Sequence, residues 1–302
     1  SRRWRDGGAG RHAFACQRIG KRRRCFSAVR LSAGLYGFDY GDKMLELNKI
    51  HCGDNCDLLG QLPRECIDLV VTSPPYDDLR TYGGHSWDFF GVAWQLKRVL
   101  KPGGVIVWVV ADATKDGSET GTSMEQALHF KRLGLNLHDT MIWNKAEMNF
   151  PDTTRYYQSW EYMLVLSNGA PRVCNLLADR ENKAFGRLRI GTDRNQDGTT
   201  RDSYTKPVKE TGLRMNLWEV TPEKSSMRQD HPAMFPQRLA SDHIATWSNP
   251  GDLVLDPFSG SGTTAKAAKE LGRRFIGLEI NPEYCAIAER RLSQQVLELE
   301  AV

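Results

Sequence analysis

One stretch near the C-terminus constrains the fold more than any other. Residues 253–256 form an apolar run that passes directly into a glycine-containing loop at residues 257–262, which indicates a buried strand followed by a tight turn. Residues 265–271 have the composition of a helix, and residues 274–279 form a second apolar run that ends on an acid. A strand, a glycine loop, a helix and another strand make up the βαβ unit of a doubly wound α/β sheet.

The rest of the chain repeats this alternation of strands and helices. Near-continuous apolar runs predict strands that are buried on both faces, as in a parallel sheet. We therefore predict an α/β fold with a doubly wound, mostly parallel sheet in one domain, which suits a length of 302 residues. The predicted strands are 45–50, 67–71, 105–110, 137–143, 162–166, 253–256 and 274–279, and the predicted helices are 56–62, 89–100, 123–133, 239–247, 265–271 and 282 to about 299.

Two segments depart from this alternation. Residues 1–42 show little apolar periodicity, and the first 30 residues carry nine Arg and one Lys against Asp6, a charge of +9 in a chain of net charge +4. We interpret them as a flexible basic arm that clamps phosphates, acts as a nuclear or organelle address, or has no function. Residues 170–228 are irregular and hold 12 Arg or Lys against 8 Asp or Glu, which indicates an inserted target-recognition region or a tolerated insertion. The two halves of the α/β domain are then 43–169 and 229–302.

The composition argues against a membrane protein, a disulfide-bonded protein and a zinc protein. No apolar run reaches the roughly 18 residues of a membrane span, so we predict no membrane association. The seven cysteines are an odd number without a disulfide pattern, which predicts free thiols in a reducing compartment. Cys52 and Cys56 lie four residues apart, but no second pair of Cys or His completes a zinc site, so we predict no metal.

A second motif lies at the end of the predicted strand 67–71. Ser73-Pro74-Pro75-Tyr76 follows almost directly, and the strand must stop there because proline cannot donate to a ladder. The hydroxyl and the aromatic ring are thus held on a stiff turn at a strand's carboxyl end, the edge where open α/β sheets bind ligands. The turn suits a flat, polar ligand. The alternative is a proline turn that has only a structural role.

The glycine loop indicates a nucleoside ligand. Gly260 and Gly262 allow close approach of the backbone, and the helix start that follows offers free N–H groups. Glu279 lies 17 positions after Gly262, about where an acid at the end of the second strand binds ribose hydroxyls. Because the third glycine of a dinucleotide fingerprint is missing, a ligand without pyrophosphate fits better than NAD.

Together the two motifs resemble those of the S-adenosylmethionine-dependent amino-methyltransferases of DNA. Asp256-Pro-Phe-Ser-Gly-Ser-Gly262 is similar to their cofactor loop, and Thr72-Ser-Pro-Pro-Tyr76 is similar to their catalytic motif. The catalytic motif comes first, as in the permuted beta class, and the resemblance covers about residues 43–295. It implies a Rossmann-like fold, S-adenosyl-L-methionine as the cofactor, catalytic residues Ser73, Pro74, Pro75 and Tyr76, and cofactor contacts from Asp54, His231, Pro236, Asp256, Phe258, Gly260, Gly262, Thr263 and Glu279.

The chemistry of the turn supports the same reaction. An exocyclic amine is a poor nucleophile, but acceptors at the Ser73 hydroxyl and the Pro74 carbonyl would bind both its hydrogens and direct its lone pair at a sulfonium methyl group. Tyr76 would stack on a base flipped out of the duplex. In the family that the motifs resemble, Ser at the first position is typical of cytosine N4 methylation, so we predict that reaction, with adenine N6 as the alternative. Methylation of cytosine C5 needs a thiolate nucleophile, and the usual Pro-Cys pair is missing.

We expect double-stranded DNA as the partner of a monomer or homodimer. Arg187, Arg189, Arg194 and Arg201 are predicted to contact phosphates or guanines, and residues 143–145 and 155–157 are candidates for the wall of the base pocket, with core packing the simpler role for Trp143. An RNA or protein amine methyltransferase and an inactive binding module are the alternatives. A bacterial restriction–modification or solitary enzyme in the cytoplasm is the expected setting, or the nucleus in a eukaryotic host.

Overall fold

The computed structural model describes residues 43–75, 87–145, 154–188, 191–202, 207–222 and 236–294. Its strands are β1 (Lys49–Cys52), β2 (Ile67–Thr72), β3 (Leu100–Val110), β4 (Thr114–Lys115), β5 (Ser118–Glu119), β6 (Asn136–Asn144), β7 (Trp160–Ser167), β8 (Arg180–Glu181), β9 (Thr192–Arg194), β10 (Thr200–Asp202), β11 (Thr211–Gly212), β12 (Leu217–Glu219), β13 (Leu253–Asp256) and β14 (Arg274–Glu279). Its helices are α1 (Asn55–Gln61), α2 (Phe89–Val99), α3 (Thr122–Arg132), α4 (Gln237–Trp247), α5 (Thr263–Glu270) and α6 (Pro282–Ser293).

Eight strands form the main sheet, in the order β1-β14-β13-β2-β3-β7-β6-β12. All neighbouring strands are parallel except that β7 runs antiparallel to both β3 and β6. β7 follows β6 with no helix between them in the described part of the chain, and antiparallel pairing needs no crossover helix. The predicted mostly parallel, doubly wound sheet is confirmed.

Helices cover both faces of this sheet. α4, α5 and α6 contribute to the hydrophobic core on one face, and α1, α2 and α3 contribute to the core on the other. Successive residues of a strand point to opposite faces, so β2 gives Leu69 and Val71 to the first core and Val70 to the second. This two-sided burial explains why the predicted strands read as uninterrupted apolar runs. None of the described helices has the length and apolarity to cross a membrane.

Several predicted boundaries differ from those of the structure. β1 begins at Lys49 rather than at residue 45, because Asn48 has a φ of 60°, outside the strand region, and the strand then includes the predicted turn residues up to Cys52. α2 ends at Val99, and the predicted helix stop at 101–104 falls inside β3. α6 ends at Ser293 rather than near residue 299.

The region 170–228 is partly built into the main sheet. Its strand β12 pairs with β6, and the side chain of Trp218 on this strand is buried and stacks on the buried ring of His243 in α4, with ring centroids 4.5 Å apart. The Arg214 guanidinium lies 4.7 Å from the Trp218 ring and forms ion pairs with Asp179 and Asp242. Burial, together with the Arg214 charge, lowers the pKa of His243 to about 3, so this ring is neutral at physiological pH. These contacts join Arg214 and β12 to α4, and they join Asp179 to Arg214.

Candidate active site

The sheet brings the two sequence motifs together. β2 and β13 are parallel neighbours, so their carboxyl ends, which carry the catalytic turn and the glycine loop, lie at the same edge. The Thr72 hydroxyl donates a hydrogen bond of 2.7 Å to Asp256 Oδ1 between two buried side chains. Ser73 is half-buried and directly follows Thr72, the residue whose hydrogen bond joins this turn to the glycine loop. Pro74 is buried beside it, whereas Tyr76 lies outside the described residues.

The glycine loop has a fixed shape. Gly262 has a φ of +79°, and a Cβ added there would come within 2.9 Å of the Ala288 Cβ on α6, so only glycine fits both the backbone and the packing. Gly260 also has a left-handed φ, of +51°. Arg291 on α6 donates from Nη1 to the Ser261 carbonyl at 2.7 Å and to Thr263 Oγ1 at 3.2 Å. The contacts with α6 thus stabilise the shape of the loop.

Glu279 is oriented by the loop that it faces. Its Oε2 accepts a hydrogen bond of 2.8 Å from the Gly260 N–H, and its Oε1 accepts one of 2.8 Å from the Asn281 N–H. Each carboxylate oxygen has two lone-pair sites, so a carboxylate can accept from more than one donor at a time. This arrangement fits the diol of a ribose, the group that the sequence predicts for this acid.

Asp54 and Pro236 each lie directly before the first residue of a helix, Asp54 before α1 and Pro236 before α4. The Gly53 N–H donates to the Glu279 carbonyl at 2.9 Å, which places the exposed Asp54 beside the end of β14. Asp54 Oδ1 also accepts from the Cys56 N–H at 2.8 Å and so caps α1. Pro236 precedes α4 and is buried; His231 lies outside the described residues.

Asp256 supplies the electrostatic character of the site. Its side chain is buried, and burial raises the pKa of its carboxyl group to about 6, although hydrogen bonds from Thr72 and from the Phe258 N–H oppose the shift. Nearby Glu279 adds a further rise through like charge. A buried carboxylate attracts a positively charged group, and a sulfonium carries a positive charge.

Phe258 belongs to an aromatic cluster that the sequence analysis missed. Its ring packs edge-on against Trp87, with centroids 4.8 Å apart, and against the buried Trp108 at 6.2 Å. Trp108 pairs in register with Thr72 and donates its indole N–H to Gln126 Oε1 at 2.8 Å. In the sequence, Trp108 appeared only as part of a strand, because its neighbour Phe258 is far away along the chain. The cluster gives the loop a rigid apolar wall.

Asn55 is a second contact that sequence reasoning missed. Its side-chain amide donates to the Pro257 carbonyl at 3.3 Å and ties the start of α1 to the glycine loop. The only sequence signal for it is its position directly after Asp54. The loop is therefore supported by α1, α6 and β2.

A comparison with protein families agrees with this geometry. Residues 67–290 match the model of the N6_N4_Mtase family, described as DNA methylase. The chain belongs to the DNA methylase family. Family membership confirms the predicted recognition, and with it a DNA methyltransferase that uses S-adenosylmethionine.

Individual relatives agree with this assignment. The orphan methyltransferase M.BamHII of Bacillus amyloliquefaciens is 53% identical over 239 residues, which cover 76% of this chain and 90% of the relative. The DNA adenine methyltransferase YhdJ of Escherichia coli (strain K12) is 26% identical over 263 residues, 82% of this chain and 83% of the relative. The crystal structure of TTHA0409 from Thermus thermophilus, complexed with S-adenosyl-L-methionine, superposes with a TM-score of 0.55 at 26% identity, covering 81% of this chain and 94% of that one.

The described members of the predicted DNA-contacting arginines are not part of the main sheet. Arg187, Arg194 and Arg201 are exposed, and the last two lie on the separate two-stranded ribbon of β9 and β10. Arg189 lies outside the described residues. Their contacts with DNA stay a prediction.

The candidate walls of the base pocket divide into two groups. Trp143 is buried and donates its indole N–H to the Val220 carbonyl at 2.7 Å, so it packs in the core. Lys145 forms an ion pair with the buried Glu161. Tyr156 and Tyr157 are exposed and stay candidates for contact with a base.

Proposed function

We propose that this methylase transfers the methyl group of S-adenosylmethionine to the exocyclic N4 amine of a cytosine flipped out of double-stranded DNA. The observation that carries the proposal is the Thr72–Asp256 hydrogen bond of 2.7 Å, which holds the Ser73-Pro74 turn against the cofactor loop. The 53% identity to an orphan methyltransferase supports the enzyme class. A cytoplasmic location and a monomeric or dimeric state stay predictions.

The chain's own residues orient the reacting groups. When bound, S-adenosylmethionine supplies an electrophilic methyl group on a sulfonium. Glu279 would accept hydrogen bonds from the ribose hydroxyls, and the buried Asp256 carboxylate, beside the aromatic wall of Phe258, would favour the positive charge. The Ser73 hydroxyl and the Pro74 carbonyl would accept the two amine hydrogens and so hold the nitrogen lone pair in one fixed direction. Most of the rate enhancement then comes from positioning.

The choice of cytosine over adenine rests on Ser73. A short hydroxyl is a neutral acceptor, and the family resemblance associates it with cytosine N4. Adenine N6 is the second candidate, since the 26% identity to the adenine methyltransferase YhdJ favours it.

Mass spectrometry of nucleosides decides between the two bases. Unmethylated duplex DNA is treated with the protein and isotopically labelled cofactor, then digested to nucleosides. We expect labelled N4-methylcytosine. Labelled N6-methyladenine alone contradicts the base assignment, and the absence of any labelled nucleoside contradicts the proposed function. Structured RNA treated in parallel tests the alternative polymer.

Cofactor affinity is expected to fall in acid because of Asp256. The pKa of this carboxyl group is about 6 without ligand, and a bound cation nearby would lower it, so binding favours the ionised form. Affinity is therefore constant above neutral pH and falls by about tenfold per pH unit below the pKa of the free protein. Calorimetric titration with S-adenosylmethionine from about pH 5 to about pH 8, a range that brackets this pKa, measures the dependence.

Asp256→Asn is the control for this pH dependence. The variant is expected to bind more weakly at neutral pH but with a flat profile. The stability of the unliganded protein depends on pH in the opposite direction to cofactor affinity. Because the pKa of Asp256 is raised in the folded state, this group stabilises the folded protein at low pH, and that contribution is lost as the pH rises through about 6. A wild-type profile without an inflection near this pKa contradicts the role of Asp256.

A further inference from the structure

Two cysteines lie next to the candidate cofactor site, on the same face of the main sheet. Cys52 is the last residue of β1 and pairs in register with Glu279, the last residue of β14. Ile50, two residues before Cys52, packs in the core to which α6 contributes, and side chains two residues apart on a strand share a face. Cys285 on α6 is buried in that same core. The fold therefore directs both thiols into the space between the edge of the sheet and α6.

The two thiols are in direct contact. The Cys285 thiol donates to the Glu279 carbonyl at 3.6 Å, and the Gly53 N–H, which directly follows Cys52, donates to the same oxygen at 2.9 Å. The side chains of Cys52 and Cys285 are hydrogen-bonded to each other, and both are free thiols rather than a disulfide. The reduced pair is thus already assembled around one carbonyl oxygen.

The two thiols differ in their reactivity. Cys52 is exposed, so an oxidant in solution reaches it first. Burial raises the pKa of Cys285 to about 12, and the contact with Cys52 and the negative charges of Glu279 and Glu289 add to the rise. Cys285 is therefore protonated at physiological pH and is not the thiol that reacts first.

We propose that Cys52 and Cys285 form a redox-sensitive pair whose oxidation to a disulfide weakens the binding of S-adenosylmethionine. This inference rests on the proposed function in that Glu279 binds the ribose of the cofactor. The oxidant is hydrogen peroxide, which is small enough to react at an exposed thiol without a binding site of its own.

The oxidation takes place in two steps. The Cys52 thiolate attacks one oxygen of hydrogen peroxide, the O–O bond breaks, and hydroxide leaves and takes up the proton that Cys52 lost, which gives a sulfenic acid. The Cys285 sulfur then attacks the Cys52 sulfur, the S–S bond forms, and the hydroxyl group leaves with the Cys285 proton as water. Two thiols are oxidised to one disulfide, and one peroxide is reduced to two water molecules. Because the two sulfur atoms are already in contact, the second step needs no diffusion, which offsets the small thiolate fraction of Cys285.

The disulfide acts on two turns at the candidate cofactor site. A covalent S–S bond holds the two sulfur atoms closer together than a hydrogen bond does, so the end of β1 and the start of α6 must shift. Asp54, an acid predicted to contact the cofactor, lies two residues after Cys52. The Cys285 N–H donates to the Asn281 carbonyl at 3.0 Å, and the Asn281 N–H donates to Glu279 Oε1 at 2.8 Å. A shift of Cys285 is thus transmitted to the carboxylate that is proposed to hold the ribose.

Mapping of disulfides tests the pair itself. The reduced full chain is treated with hydrogen peroxide at neutral pH, its remaining thiols are alkylated, and the unreduced digest is analysed by mass spectrometry. We expect a peptide that links Cys52 to Cys285. In Cys285→Ser, the sulfenic acid of Cys52 has no partner and is expected to be trapped by dimedone. The absence of the linked peptide in the wild type overturns the proposal.

Calorimetric titration with S-adenosylmethionine tests the effect on the cofactor site. Oxidised wild type is expected to bind the cofactor about 10-fold or more weakly than reduced wild type, within the usual range of coupling between two sites, and dithiothreitol is expected to restore the affinity. Cys52→Ser changes an exposed side chain and is expected to bind equally well with and without peroxide treatment. Cys174→Ser removes another exposed thiol and is expected to keep the wild-type response. Equal affinities of the reduced and the disulfide-linked wild type overturn the proposal.

Protection by the cofactor tests the same coupling in the reverse direction. Because coupling between two sites is reciprocal, saturating S-adenosylmethionine is expected to lower the yield of the disulfide in the wild type. An equal yield with and without cofactor contradicts the coupling. A reduced wild type that binds no S-adenosylmethionine contradicts the proposed function instead, and disulfide mapping still decides whether the pair forms.

Discussion

Replacing Ser73 with Ala is expected to reduce methyl transfer by about 100-fold or more while cofactor and DNA affinity stay near the wild-type values. Removal of one positioned hydrogen-bond partner from a transition state costs about 100- to 1,000-fold in rate. Ser73 follows the buried Thr72–Asp256 link, so its acceptor is held on a rigid turn rather than on a mobile loop. Its loss leaves one amine hydrogen without a partner and the lone pair without a fixed direction.

Single-turnover transfer of labelled methyl groups to duplex DNA measures this effect separately from product release. Ser293→Ala is the matched control, because it removes an exposed hydroxyl at the end of α6 that bonds to the Arg290 carbonyl. The control is expected to react at the wild-type rate. A Ser73→Ala protein that transfers methyl groups as fast as the wild type removes Ser73 from the mechanism.

Replacing Glu279 with Ala is expected to weaken S-adenosylmethionine binding by about 100-fold. Hydrogen bonds to a charged group are worth about 1.5–3 kcal/mol each, and the carboxylate is proposed to accept from both ribose hydroxyls. The same carboxylate accepts from the Gly260 and Asn281 N–H groups, so its removal also releases the glycine loop. Both effects lower the affinity.

Calorimetric titration with S-adenosylmethionine measures the loss. Glu279→Gln keeps one carbonyl acceptor and is expected to lie between the wild type and Glu279→Ala. Glu283→Ala removes an exposed acid from the first turn of the neighbouring helix and serves as the charge control. Equal affinities for Glu279→Ala and Glu283→Ala contradict the assignment of Glu279 to the ribose.

Much of the fold could be predicted because its strands are buried on both faces. β13 and β14 have the predicted bounds, since each is an apolar run between clear turn signals. β1 was misplaced because its alternating residues continue through Asn48, whose positive φ has no unique sequence signature. Strand β12, which joins the edge of the main sheet, was not predicted. Its three residues, Leu217–Glu219, are too few to show an alternation of apolar and polar side chains.

The sequence alone determined the two chemical motifs, their order and the family they belong to. These are local properties: two prolines stop a strand, two glycines permit a left-handed turn, and an acid ends the next strand. They predicted a nucleoside ligand, and the resemblance of the two motifs to the family implied S-adenosylmethionine as the cofactor.

Only the tertiary structure decided what supports those motifs. The Thr72–Asp256 hydrogen bond joins residues 184 positions apart, and the contact between Gly262 and Ala288 depends on how α6 packs. In the ribbon of β9 and β10, Arg194 pairs with Thr200 and Arg201 pairs with Asp193, so the two arginines lie on opposite faces. This placement depends on the pairing register, because a shift by one residue moves a side chain to the other face. Such contacts depend on which segments become neighbours after folding, and a linear sequence does not carry that information at any single position.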